Sequence, residues 1–192
     1  MKKSLLHLVA SLLFVCFASV PVLASTLTVD TEQDIVDPAN CSLRAAIQTV
    51  NSGAQVGACV PSDGSVPDTI TLPAGNYTLS GDGTQEDLCA DGDLDINANL
   101  TLNGAGSGVT TVSGPGNSER IFHIGAAVQG IHVSLNGLTV TQGFDVIGGG
   151  VLINNDVVEV TNPGFADITS VTFNDVGLTK NTALAGSGIC SI

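Results

Sequence analysis

From Asp68 onward the chain is a succession of apolar–polar alternating segments, three to six residues long, each cut short by glycine, asparagine or proline. Thr69-Ile-Thr-Leu72, Asn76-Tyr-Thr-Leu79, Asp93-Leu-Asp-Ile96, Leu100-Thr-Leu102, Thr110-Thr-Val112, Ile121-Phe-His-Ile124, Ile131-His-Val-Ser-Leu135, Leu138-Thr-Val140, Val151-Leu-Ile153, Val157-Val-Glu-Val160 and Ile168-Thr-Ser-Val-Thr-Phe173 all read as strands. Two architectures accommodate so many short strands: a sandwich or barrel, and a parallel β-helix. Three features favour the latter. Leu138-Thr-Val-Thr…Gly148-Gly-Gly-Val151 is weakly echoed by Gly177-Leu-Thr-Lys…Gly186-Ser-Gly-Ile189, as stacked repeats require. Asn103-Gly104, Asn136-Gly137, Asn154-Asn155 and Asn162-Pro-Gly164 supply residues that tolerate positive φ at tight corners, although Asn136-Gly137 also suits a hairpin. The third feature is a helix suited to capping.

Cys41 to Asn51 is that helix. Leu43, Ala46, Ile47 and Val50 fall at i, i+3, i+4 and i+7, which makes one apolar stripe. Asn40 or Ser42 can cap its start and Asn51-Ser-Gly53 can end it. Such a helix would close the open end of stacked strands, where apolar interior and unpaired backbone need cover. The expected fold is an all-β, right-handed parallel β-helix with an N-terminal helical cap. Leu94, Ile96, Phe122 and Ile124 would point inward, and Asp93, Asp95 and His123 outward. The Gly148-Gly-Gly150 run reads as a corner where successive coils pass closely.

Met1-Lys-Lys3, a stretch from Ser4 to Val20 without Asp, Glu, Lys or Arg, and Pro21-Val-Leu-Ala24 form a secretory signal pattern. Val15 before Cys16 argues against a lipoprotein site. The organisation expected is a signal peptide over 1–24, a strand, cap helix and loop over 25–67, and β-coils over 68–192. The ending Gly186-Ser-Gly-Ile-Cys-Ser-Ile192 reads as incomplete, stopping within a coil, with Ile189 and Ile192 uncovered. The apolar leader is too short for a strong transmembrane assignment, and no later segment resembles a span. Without residues 1–24, only Arg44, Arg120 and Lys180 oppose 18 carboxylates. That balance argues against nucleic acid and anionic membranes as partners.

Export leaves Cys41, Cys59, Cys89 and Cys190, an even set with three possible connectivities. Cys41 to Cys59 is the favoured disulfide because it would tie the cap helix to the loop after it. Cys89 and Cys190, far apart in sequence, also read as free buried thiols.

Candidate sites are few. Asp91, Asp93 and Asp95 lie in the densest acidic stretch, with Asp93 and Asp95 on one strand face roughly 7 Å apart. They are the candidate calcium ligands, set against an ordinary solvated acidic loop. His123 and His132, on different strands, read as surface or rim residues rather than a metal pair. Arg44 reads as solvated or carboxylate-paired on the cap. Gly104-Ala-Gly106 opens no helix, which excludes a nucleotide loop, and no Ser-His-Asp spacing is present. Sugar-stacking aromatics are limited to Tyr77, Phe122, Phe144, Phe165 and Phe173, with no tryptophan.

Cys41-Ser-Leu-Arg-Ala-Ala-Ile47, Asp68-Thr-Ile-Thr-Leu-Pro-Ala-Gly-Asn-Tyr-Thr-Leu79, Gly92-Asp-Leu-Asp-Ile96, Leu100-Thr-Leu-Asn-Gly-Ala-Gly106 and Gly148-Gly-Gly150, in that order, resemble the CSLREA-domain proteins of bacteria. Ala45 stands where that family commonly has Glu. The resemblance implies an exported, secreted or outer-membrane-associated parallel β-helix, structural or adhesin-like, facing an extracellular glycan or other cell-surface ligand. It implies no catalytic residue. The alternative on the same fold class is a carbohydrate-active enzyme, a polysaccharide lyase or glycoside hydrolase, for which the chain has carboxylates but almost no cations.

Overall fold

The computed structural model describes residues 25–60, 67–81, 86–116, 119–128, 130–154 and 169–192. The signal pattern, the expected strand Val157–Val160, Asn162-Pro-Gly164 and Phe165 lie outside the described residues.

Two parallel sheets are built from the alternating segments. The larger contains β1 (Ser25–Thr28), β2 (Pro67–Leu72), β3 (Gly75–Thr78), β5 (Leu100–Gly104), β6 (Thr110–Ser113), β8 (His132–Thr141) and β10 (Ser170–Thr179). The smaller contains β4 (Leu94–Ile96), β7 (Phe122–Ile124), β9 (Val151–Ile153) and β11 (Ile189–Ser191). Strand order in the larger sheet is β1-β2-β5-β8-β6-β3, with β10 also on β8; in the smaller it is β11-β9-β7-β4.

Parallel register stacks like residues into columns. Leu27, Ile70, Leu102, Leu135 and Phe173 are successive partners, as are Tyr77, Val112, Val140 and Leu178. In the smaller sheet Leu94, Phe122 and Val151 form one column and Ile96, Ile124 and Ile153 another. All but Phe173 and Leu178 are buried, and those two pack against the same core. Burying each such side chain contributes about 1.5–3 kcal/mol, so apolar alternation within the strands is what fixes the register. Between the apolar columns run polar ones. Asn136 Nδ2 donates to Asn103 Oδ1 (2.9 Å) and Asn174 Nδ2 to Asn136 Oδ1 (2.8 Å). Thr179 donates to Thr141 at 3.1 Å.

The right-handed parallel β-helix expected from the sequence is not what these strands form. Among the described residues they make two separate open sheets beside a single helix, and neither sheet closes. The physical reason is visible at Asn136-Gly137, taken above as a corner. Gly137 does adopt positive φ (59°), but β8 runs on through it for ten residues. Its first half pairs with β5 and its second half with β6, so segments that a corner would separate merge into one wide sheet.

The helix α1 (Leu43–Ser52) follows the sequence closely. Ala45 N–H donates to Ser42 Oγ (3.1 Å) at the N-cap, and Gly53, at φ 65°, ends the helix with its N–H on Thr49 O. Leu43, Ala46, Ile47 and Val50 are buried against the core, and α1 packs on both β2 and β4. Cys41 and Cys59 form a disulfide with Cα atoms 4.6 Å apart; Cys89 is free and buried, and Cys190 is free and half-buried. The triple-glycine run is a close approach as expected: a Cβ on Gly149 would stand 2.4 Å from Thr182 O, and one on Gly150 2.4 Å from Gly188 O.

Candidate functional site

Alternation in β4 sends Leu94 and Ile96 into the core and Asp95 to the other face. Parallel register then sets Asp95 beside His123 of β7. That face is not open to solvent, contrary to the sequence reading. Asp95 is 0 % exposed, Asp93 3 % and His123 8 %. Residues 86–93 fold over them. The carboxylate of Glu86 organises this segment, accepting from the backbone N–H groups of Leu88, Ala90 and Asp91. Cys89, at φ 62°, turns its N–H onto Asp95 Oδ2 (2.8 Å).

Helix α1 holds the covering segment down. Gln48 Nε2 donates to Cys89 O at 2.6 Å. Arg44 donates to Gly92 O (2.7 Å) and Asp93 O (3.1 Å) while gripping Asp34 through two hydrogen bonds. The reading of Arg44 as carboxylate-paired is right; at 4 % exposure it is not solvated.

Beneath this cover lie two charge groupings. In one, Arg120 contacts Asp93 Oδ2 at 2.9 Å and Asp145 Oδ2 at 2.5 Å, all three side chains being nearly buried. In the other, His123 Nδ1 faces Asp95 Oδ1 at 3.3 Å and Asp87 Oδ1 at 3.6 Å. Of the calcium candidates, therefore, Asp95 joins His123, Asp93 goes to Arg120, and Asp91 Oδ1 accepts its neighbour Gly92's N–H. The grouping of possible metal ligands found among the described residues is Asp87, Asp95 and His123, with ligand atoms all within 4.8 Å. His132 is elsewhere, exposed, its Nδ1 2.6 Å from Ser170 Oγ.

The electrostatics follow from burial. Loss of solvent, reinforced by Asp95 and only partly offset by Arg120, pushes the Asp93 carboxyl up to about 7. Burial also raises Asp95, against the pull of His123 and the Cys89 N–H. For His123, burial disfavours the imidazolium, but Asp95 and Asp93 outweigh it and the net shift is upward. Burial pushes the Cys89 thiol up to about 12, so it is an inert packing group.

The sequence carries a signal for this grouping. Leu94-Asp-Ile96 and Phe122-His-Ile124 are the same apolar–polar–apolar triplet, and alignment of the triplets puts Asp95 on His123. Among the described aromatics, Tyr77 and Phe122 are core, Phe173 packs partly buried against it, and Phe144 is 42 % exposed.

No family model, curated protein or solved structure matches this chain.

Proposed function

We propose that this chain is an exported, surface-associated structural or adhesive module, the role that resemblance to CSLREA-domain proteins implies. The supporting observation is the polar side of the larger sheet. There Asn103, Asn136 and Asn174, and Thr101, Ser134 and Thr172, stand in register as half-exposed or exposed amide and hydroxyl rows. The amides are tied to one another across strands, which pre-organises them at the spacing of the sheet, about 4.8 Å. An extended polar ligand such as an extracellular glycan meets repeated donors and acceptors along such a face. The net charge of −13 favours neutral or cationic ligands over polyanions.

Binding of the purified chain to immobilised neutral glycans, with no release of reducing ends or unsaturated products, supports this role. Release of either product would instead establish the carbohydrate-active alternative. Absence of binding to glycans and to whole cells alike would remove the adhesive reading.

A further inference from the structure

We propose that Asp87, Asp95 and His123 form a binding site for a divalent first-row transition metal, with zinc the best match. Four observations carry this inference, and none depends on the adhesive role.

The first is spacing. His123 Nδ1 lies 3.3 Å from Asp95 Oδ1 and 3.6 Å from Asp87 Oδ1, longer than the 2.5–2.9 Å of the neighbouring Arg120 and Arg44 ion pairs. Zinc bonds to nitrogen and carboxylate oxygen of about 2.0–2.2 Å give tetrahedral ligand–ligand edges of about 3.4 Å. The two separations bracket that edge.

The second is an orphaned atom. Asp95 is wholly buried, and its Oδ2 accepts the Cys89 N–H. Its Oδ1 faces the His123 ring at 3.3 Å and makes no hydrogen bond of normal geometry. A buried carboxylate oxygen without a good donor is destabilising, and a cation at that point removes the penalty.

The third is the far side of the imidazole. Nε2 is buried with no firm hydrogen bond, and the Asn154 side chain, whose own Oδ1 is likewise buried and unmatched, interacts with that ring. Donation from Nε2–H to Asn154 Oδ1 would set the tautomer that leaves the Nδ1 lone pair facing the two carboxylates. With Nδ1 unprotonated, its lone pair and the two carboxylate oxygens converge on one point, where a divalent cation competes with the proton that Nδ1 otherwise carries.

The fourth is ligand type. One imidazole and two carboxylates suit zinc and its neighbours, whereas calcium takes six to eight oxygens and no nitrogen. Asp87 is 62 % exposed, so the site opens to solvent on that side, and its backbone carbonyl accepts Asn97 Nδ2 at 2.9 Å. Metal binding would thus pin the segment 86–93 to the smaller sheet.

The test uses chelator-treated full chain titrated with zinc chloride by calorimetry, and with cobalt chloride by visible absorption. One zinc per chain is expected, with cobalt bands of mixed nitrogen–oxygen coordination. Asp87→Asn, on an exposed side chain, should keep the wild-type unfolding midpoint in chelator and weaken zinc at least about tenfold. Asn154→Ala should weaken it about 10–100-fold through loss of ring orientation. No zinc binding by folded wild type, or zinc binding unaffected by Asp87→Asn, overturns the site. An equal rise in melting temperature with calcium overturns the assignment to a transition metal.

Discussion

Arg44 and Asp34 meet through two parallel hydrogen bonds, Nε to Oδ1 at 2.7 Å and Nη2 to Oδ2 at 2.9 Å, with side chains 4 % and 5 % exposed. The same guanidinium reaches three carbonyls, those of Cys89, Gly92 and Asp93. One side chain of α1 therefore joins the first loop to the cover of the buried acidic face. Arg44→Ala leaves Asp34 an unpaired buried anion and should cost about 3–5 kcal/mol in urea unfolding. Arg44→Lys should recover only part, since an ammonium cannot make the paired contact. A loss below about 1 kcal/mol for the alanine variant would show that this junction does not hold the fold.

The Cys41–Cys59 disulfide closes a separation of 18 residues. In the chain-entropy model, restriction of the unfolded chain by a loop of that size stabilises the fold by about 3 kcal/mol. The double variant Cys41→Ala/Cys59→Ala should lose roughly that amount, and adding reductant to wild type should lower its melting temperature in parallel. Unchanged melting under complete reduction would contradict this.

Stability should fall as pH rises between about 4 and 8. The Asp93 carboxyl has an ordinary value of 3.8 and is lifted to about 7 in the fold by burial and Asp95, with Glu119 adding and Arg120 and His123 opposing. The folded chain holds a proton there that the unfolded chain releases, so this contribution is complete below about 4 and gone above about 7. His123 acts in the same sense: its raised value gives stability present below the ordinary 6.5 and lost as pH climbs through the folded value. Asp37 and Asp175, both exposed and lowered, matter only at pH below their ordinary 3.8, outside this window. Urea midpoints measured with chelator should be higher at pH 5 than at pH 8, and Asp93→Asn should flatten the difference. A midpoint that rises with pH would mean that Asp93 is ionised throughout.

Two glycines give a matched comparison. A Cβ at Gly104 would lie 2.2 Å from Gly137 O, so backbone must shift, and Gly104→Ala should cost about 1–3 kcal/mol. At Gly188 the nearest atoms are Leu178 Cδ1 at 3.5 Å and Cβ at 3.7 Å, ordinary contacts, and Gly188→Ala should stay within about 0.5 kcal/mol. Equal effects at the two positions would mean that the strands are not stacked this tightly.

Much of the local structure was legible because it depends on short-range chemistry. Ser42 and Gly53 mark the ends of α1 by hydroxyl capping and by left-handed φ, and the stripe Leu43, Ala46, Ile47 and Val50 marks its buried face. The repeat echoed between Gly148 and Gly186 returns as a register offset of 38 between β8 and β10 and between β9 and β11. Whether the strands close into coils is not legible locally, since Asn136-Gly137 carries the same turn chemistry whether the chain bends there or runs straight.

Alternation and turn residues alone determined which segments are strands, which faces are apolar and where the helix begins and ends, because each is settled within a few bonds or one turn. Only the tertiary structure decided that β8 would unite two groups of strands, that Asp95 and Asp93 would be covered, and that His123 would sit beside one and Arg120 beside the other. Those outcomes depend on pairing across about 30 residues and on a segment folded over the sheet, and a local pattern such as the matching triplets at 94–96 and 122–124 does not by itself say which segments pair.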